Sequence, residues 1–269
     1  MSDSTKTWQR ALTKDGSRTL LDPEGLACHS WEGAWQQAVE RYAGGVEFSE
    51  RGDAVVRLLD VGVGLGLNMA AALAAVEGGE RCLEVTGLEL HLEPLQLAIA
   101  EPEPMAGPWH QAVGEALAAA LDLARQDPER ADQEGVPLGQ RSRLWLRLGD
   151  ARKTIRALAP ERRFDAVFMD PFAPADQSDL WQGDFLQAIA ERMDPGSRLV
   201  TYCAASAMRA DLLRAGLLVG RLGRVGRKAE GTVAAPHPAD LPPLPPRALR
   251  RLRQRAAESV SEGTPDDSQ

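Results

Sequence analysis

The sequence predicts an α/β fold: a mostly parallel sheet with helices on both faces. Three observations predict it. Residues 55–59 (VVRLL) form an apolar run too short for a helix and rich in branched side chains, as expected of a buried parallel strand. Glycine then recurs at every second position, Gly62, Gly64 and Gly66, before an alanine-rich helical stretch at 67–76. Beyond this, runs that read as strands alternate with runs that read as helices as far as residue 215.

The glycine turn is the most informative element. Without a Cβ, the backbone can turn tightly and come close to a ligand. The helix that follows aims its first amides at whatever fills the turn. Strand, glycine turn and helix together suit a nucleotide-type ligand, although such turns also serve purely structural loops. The next strand, residues 81–90, carries Glu89 at its carboxyl end, 23 residues beyond Gly66. That is close to the spacing of about 20 residues expected for an acid that accepts from ribose hydroxyls. The alternative for Glu89 is a solvated acid at a strand end.

Two further acids fall at strand ends, where open parallel sheets bind ligands. Asp150 precedes a helix, so it suits an N-cap, a hydrogen bond to an adenine amine, or both. Asp170 leaves the apolar strand FDAVFM into Asp-Pro-Phe-Ala-Pro. Pro171 and Pro174 stiffen that loop and restrict where Asp170 and Phe172 point. A preorganised carboxylate beside a flat ring suits an amine attached to a planar base. The alternative is a rigid turn with a solvated acid.

The chain has 269 residues, 43% of them hydrophobic and 26% charged, as in an ordinary globular protein with one sizeable core. No apolar run approaches the ~20 residues of a membrane span, and residues 1–10 lack the features of a signal peptide. Cys28, Cys82 and Cys203 fit neither a metal spacing nor a disulfide framework. A cytoplasmic protein without a metal is expected. The net charge of −8 argues against indiscriminate nucleic-acid binding, yet positive charge is locally concentrated. Residues 141–156 hold six basic side chains, and Arg209, Arg214, Arg221, Arg224, Arg227 and Lys228 form a second group. Either could steer a polyanion or lie as a solvated face.

Three segments are expected. Residues 1–54 form an N-terminal extension, with a turn at Lys14-Asp15-Gly16 and a helix over 29–42 that Ser30 could cap. Residues 55–235 form the main domain, interrupted at 102–140 by an insertion with a helix at 113–125 and a surface loop at 126–140. Its later strands are expected at 144–148, 164–169 and 198–203, closed by an antiparallel pair at 217–222 and 229–235. Residues 236–269, proline-rich, then basic, then acidic, read as a flexible tail with a helix candidate at 247–255.

Five stretches carry a resemblance to the methyltransferase domain of MnmC-type enzymes, which modify the wobble uridine of tRNA. They are DGSRTL at 15–20, CHSWEGAWQQA at 28–38, DVGVGLGLN at 60–68, DPFAPADQSDLW at 170–181 and VGRKAE at 225–230. The resemblance implies a Rossmann-like class I S-adenosylmethionine-dependent methyltransferase with seven strands, acting on the amine of 5-aminomethyl-(2-thio)uridine. It implies that Asp60, Gly62, Gly64, Gly66, Asn68, Glu89, Asp150 and Ala151 hold the cofactor, and that Asp170 faces the amine. Phe172, Tyr202, Arg209, Arg227 and Lys228 would meet the tRNA around its anticodon. The chain departs from the family at Pro171, where glycine is usual, at Val63 and Leu65, and in the CAAS loop after Tyr202. It has no second glycine fingerprint for the oxidase domain of the bifunctional members, so a stand-alone methyltransferase with a separate oxidoreductase for the preceding step is expected. The alternatives are an aminopropyltransferase of polyamine synthesis and a catalytically silent cofactor- or RNA-binding protein.

Overall fold

A computed structural model describes residues 7–48, 54–77, 80–171, 178–225 and 230–261. An eight-stranded sheet organises the chain in the order β5-β6-β4-β3-β7-β8-β10-β9. At its centre β3 (Val55–Val61) pairs in parallel with β4 (Cys82–Glu89) on one side and with β7 (Phe164–Met169) on the other. These strands are apolar on both faces because helices cover both. Helix α2 (Leu67–Glu77) follows β3 directly, and α3 (Leu92–Ala100) follows β4. On the flanks, β6 (Ser142–Leu148) runs parallel to β4, and β8 (Met193–Thr201), reached from β7 through α7 (Gly183–Ala190), runs parallel to β7. The hairpin of β9 (Leu218–Leu222) and β10 (Gly231–Ala235) closes the sheet antiparallel to β8.

After β3 the chain moves outward to β4 and β6, then returns to the opposite side of β3 as β7. This reversal of strand order opens a crevice beyond the carboxyl ends of β3, β4 and β7. Backbone hydrogen bonds fasten the loops there. The Gly62 amide donates to the Leu88 carbonyl at 2.9 Å, and the Asp170 amide to the Val61 carbonyl at 3.0 Å.

The eighth strand is a difference from the seven expected. It is β5 (Val136–Leu138), antiparallel to β6, and it lies in the stretch expected to be a surface loop. Two helices precede it, α4 (Gly107–Gln126) and α5 (Pro128–Glu134). Asp127 caps α5 through the Arg130 amide at 3.0 Å, and Gly135 (φ +61°) lets the chain turn back onto the sheet. Val136 and Leu138 then bury their side chains, and that burial outweighs the polar composition around them.

The N-terminal segment forms a separate hairpin, β1 (Gln9–Leu12) with β2 (Arg18–Leu21). The helix expected over 29–42 is shorter. It begins as α1 (Ala34–Gln37) and widens into a π-type turn over Ala38–Ala43. Ser30 does not cap it. The Ala34 and Trp35 amides donate instead to the Ser17 hydroxyl at 3.0 and 2.9 Å, and the Gln36 amide to Asp15 Oδ2 at 3.1 Å. The cap thus comes from the hairpin turn, a tertiary contact that local spacing does not encode.

Past the sheet, residues 236–261 pack, in contrast to the flexible tail expected. The Arg221 amide on edge strand β9 donates to the Pro242 carbonyl at 2.9 Å. Leu244 and Leu252 are both buried, and α9 (Pro246–Ser261) lies against α8 (Ser206–Arg214). A few leucines at helical spacing provide the anchor, hidden in a composition dominated by proline and arginine. Among the described residues no helix is long and apolar enough to cross a membrane.

Candidate active site

The crevice is a cleft of about 440 Å³. Its floor is the glycine turn, where Gly62 and Gly64 have φ of +84° and +54°. The two do different jobs. A Cβ on Gly62 would stand 2.8 Å from the Asp170 carbonyl oxygen, so this glycine permits the close approach of β3 and β7. A Cβ on Gly64 would meet nothing within 4 Å, so the backbone there faces open space in the cleft. Gly66 lies behind the turn, where a Cβ would press Val113 Cγ1 of α4 at 2.6 Å.

Glu89 lines the cleft and is nearly buried. Its carboxylate accepts from the Gly64 amide at 2.8 Å, from Leu90 at 2.8 Å and from His91 at 2.9 Å. It therefore ties the glycine turn to the end of β4 and keeps lone pairs for a ligand. Burial raises its pKa and outweighs those three donors, which act in the opposite sense. Asp150 and Ala151 line the same cleft. Asp150 caps α6 (Ala151–Ala157) through the Arg152 amide at 3.0 Å and pairs with the Arg152 guanidinium at 2.7 Å, which holds its carboxyl below the usual range.

Asp60 is fully buried and does not line the cleft. Neither of its carboxylate oxygens has a hydrogen-bond partner among the described residues. Burial, followed by the charges of Asp170 and Glu89, pushes its pKa well up. Asn68, expected at the cofactor, turns to Asp170: its Nδ2 donates to Oδ2 at 2.7 Å.

Asp170 is the centre of a polar cluster on the cleft wall. Besides Asn68, the Tyr42 hydroxyl donates to its Oδ1, and His29 Nε2 lies 3.9 Å from Oδ2. Tyr42 comes from the widened turn after α1 and is fully buried. Burial first, and the Asp170 charge second, raise its pKa well above a free phenol's, so it remains a donor. His29 and Cys28 reach the cleft because the Cys28 amide donates to the Leu20 carbonyl of β2 at 2.9 Å. Burial pushes the Cys28 thiol up, so it stays protonated. Tyr202 also lines the cleft; its hydroxyl donates to the Pro171 carbonyl at 3.0 Å and its ring meets Trp181 edge-on.

The structure removes Arg209 from the expected phosphate contacts. It is buried, its Nε donates to Thr232 Oγ1 at 2.8 Å, its Nη2 to the Gly231 carbonyl at 2.9 Å, and its Nη1 pairs with Glu230 at 3.0 Å. Five donors in a fixed fork suit this bracing of α8 against β10. Phe172, Arg227 and Lys228 lie outside the described residues. Sequence reasoning missed Tyr42, and it missed Trp8, which lines the cleft from the hairpin side and lies with its ring 5.4 Å from that of His91. Tyr42 lies four residues past the stretch 28–38, at the end of the helix expected over 29–42, and Trp8 seven residues before the stretch 15–20, so no local signal marked either.

A family model described as S-adenosyl-L-methionine-dependent methyltransferase matches residues 117–237. The cleft fits that cofactor on two counts: open space opposite Gly64 for a ligand in van der Waals contact, and a lining of carboxylates able to accept from hydroxyls and to attract a cation. Fold and cleft define an S-adenosylmethionine-dependent methyltransferase with a Rossmann-like sheet. The solved structure of MnmC2 from Aquifex aeolicus is 32% identical, with a TM-score of 0.74 over 93% of this chain and 77% of that one. The chain belongs to the MnmC methyltransferase family. The "tRNA 5-methylaminomethyl-2-thiouridine biosynthesis bifunctional protein MnmC" of Cupriavidus necator is 30% identical over 88% of this chain. The chain spans 37% of that protein and 31% of its Ralstonia nicotianae counterpart, about a third of the curated relatives it matches. A "probable spermidine synthase" from Corynebacterium glutamicum, 12% identical with a TM-score of 0.50, shares the fold alone.

Proposed function

We propose that this methyltransferase acts on tRNA, at the amine of a 5-aminomethyl-(2-thio)uridine in the wobble position. The observation that carries the reading is Asp170, held at both oxygens by Tyr42 and Asn68 on the wall of the cleft that Gly64 and Glu89 also line. The name of the bifunctional relatives, which places them in tRNA 5-methylaminomethyl-2-thiouridine biosynthesis, supports the nucleic-acid substrate. Gly62, Gly64, Glu89, Asp150 and Ala151 would hold S-adenosylmethionine.

When bound, that cofactor supplies a methyl group on a sulfonium, a donor that needs no further activation. The chain's own task is then to align a neutral amine and exclude water, worth several kcal/mol through positioning. An alkylammonium has no free lone pair, so its proton must leave before nitrogen attacks. Asp170 would attract the ammonium, orient the nitrogen by a hydrogen bond, and pass the proton toward solvent. Tyr42 and Asn68 keep the carboxylate in one rotamer, and Tyr202 with the Pro171 backbone frames the entrance. The amine itself must be uncovered by an earlier reaction, for which we propose a separate oxidoreductase.

The test is single-turnover methylation of tRNA from a strain lacking the wobble methylation, read as the modified nucleoside after digestion. Methyl transfer to the 5-aminomethyl group is expected. Transfer to another nucleoside, or none, would overturn the reading.

A further inference from the structure

We infer that the exposed arginine face of α9 is a docking surface for the phosphate backbone of a nucleic acid, apart from the cleft; the inference rests on the proposed tRNA substrate. Five arginines, Arg247, Arg250, Arg251, Arg253 and Arg255, stand exposed on this helix, in a chain whose net charge is −8. None of the five forms an ion pair among the described residues. Glu258, the helix's one carboxylate, accepts from the Gln254 amide at 2.7 Å.

This arrangement works against the helix. Arg247 has Arg250 and Arg251 at three and four positions, Arg250 has Arg253 at three, and Arg251 has Arg255 at four. Like charges at these spacings repel across one turn. The helix holds because its opposite side, Leu249 and Leu252, packs with Met208 and Leu212 of α8. A polyanion laid along the arginine face would turn that repulsion into attraction, and guanidinium groups match phosphate geometry.

The apolar side of α9 is occupied by protein, so the helix has no free hydrophobic face to sink into a lipid surface, as an interfacial helix requires. That observation favours nucleic acid over membrane. Location agrees: α8, on which α9 lies, starts four residues after Tyr202 of the cleft wall. A tRNA whose anticodon end enters the cleft has backbone to spare for such a neighbouring surface.

The experiment compares Arg247→Gln/Arg250→Gln/Arg251→Gln with a control of equal charge change at the opposite sheet edge, Arg125→Gln/Arg130→Gln/Arg143→Gln. Glutamine keeps helix propensity close to arginine's, and circular dichroism checks the fold. For the α9 variant, tRNA affinity at low salt should fall about tenfold or more, and the slope of log K against log salt by about two. KM for tRNA should rise, with kcat at saturation and cofactor affinity unchanged. The control should behave as wild type. Equal losses in both variants, or wild-type binding by the α9 variant, would overturn the inference while leaving tRNA methylation intact. So would arginine-dependent binding to phosphatidylserine vesicles without an effect on tRNA. A wild-type protein that binds tRNA through α9 yet transfers no methyl group would sink the proposed function and keep the docking surface.

Discussion

The hydroxyl of Tyr42 donates to Oδ1 of Asp170 across 128 positions of sequence, and the two side chains are buried together at the wall of the cleft. Tyr42 reaches this place because the helix after the hairpin widens into a π-type turn, a distortion common at functional sites. This pairing motivates the first expected outcome. Asp170→Asn should lower kcat by about 10²-fold or more, with cofactor affinity little changed. Tyr42→Phe should lower it by roughly tenfold, equivalent to ~1.4 kcal/mol. In the Asp170→Asn background Tyr42→Phe should add almost nothing, a coupling that a double-mutant cycle reads directly. Additive losses would show that Tyr42 does not act through Asp170.

The two glycines of the turn should separate stability from binding. Gly64→Ala places a side chain into open space at φ +54° and should cost about 1–2 kcal/mol of stability for the left-handed backbone. Calorimetric titration should show S-adenosylmethionine affinity falling much further. Gly62→Ala, with its Cβ 2.8 Å from the Asp170 carbonyl, should destabilise the cofactor-free protein itself. Equal melting temperatures for the two variants would refute this division of labour.

Arg209 offers a sharp contrast with the arginines of α9. Its guanidinium is buried among Thr232, Gly231 and Glu230, so Arg209→Gln strands three acceptors. A loss of about 1–3 kcal/mol in unfolding free energy is expected, as when buried acceptors lose their donor, the carboxylate of Glu230 being partly exposed to water. The salt dependence of tRNA binding should stay as in wild type. A stable variant with a reduced slope would return Arg209 to the phosphate contacts.

His110 supplies a pH dependence. Its ring is buried; Nδ1 accepts from the Glu103 amide at 2.9 Å and Nε2 lies 2.6 Å from the Leu65 carbonyl, within the glycine turn. Burial lowers its pKa below the usual 6.5. The unfolded chain therefore takes up a proton more readily than the folded one. The resulting stability is fully present above about pH 6.5 and is lost as pH falls from there toward the folded pKa. The melting temperature of wild type should fall more steeply than that of His110→Gln between pH 7 and 5. Parallel curves would mean that the ring does not titrate in this window.

The central sheet was legible because its signals are local. Apolar runs at 55–59 and 164–169 mark strands buried on both faces, and β7 spans Phe164–Met169 as read. The spacing from Gly66 to Glu89 marks the acid at the end of β4, and the structure has it lining the cleft. Strand 136–138 was not legible, because three residues in a polar stretch carry no periodicity and only the neighbouring β6 makes them a strand. The same holds for the start of α1, whose capping hydroxyl comes from Ser17 of the hairpin.

What the sequence determined by itself was the α/β class, the glycine turn and the acids at the strand ends, since backbone propensity and burial period act over a few residues. Tertiary structure decided what those acids do: Glu89 fastens the turn, Asp60 lies sealed beneath it, and Asp170 is gripped by Tyr42 and Asn68. It also decided which arginines face water. Arg209 and Arg251 belong to similar basic runs, yet one braces α8 against β10 while the other stands exposed on α9. Composition counts charges, whereas desolvation and partnership depend on which surfaces the folded chain brings together.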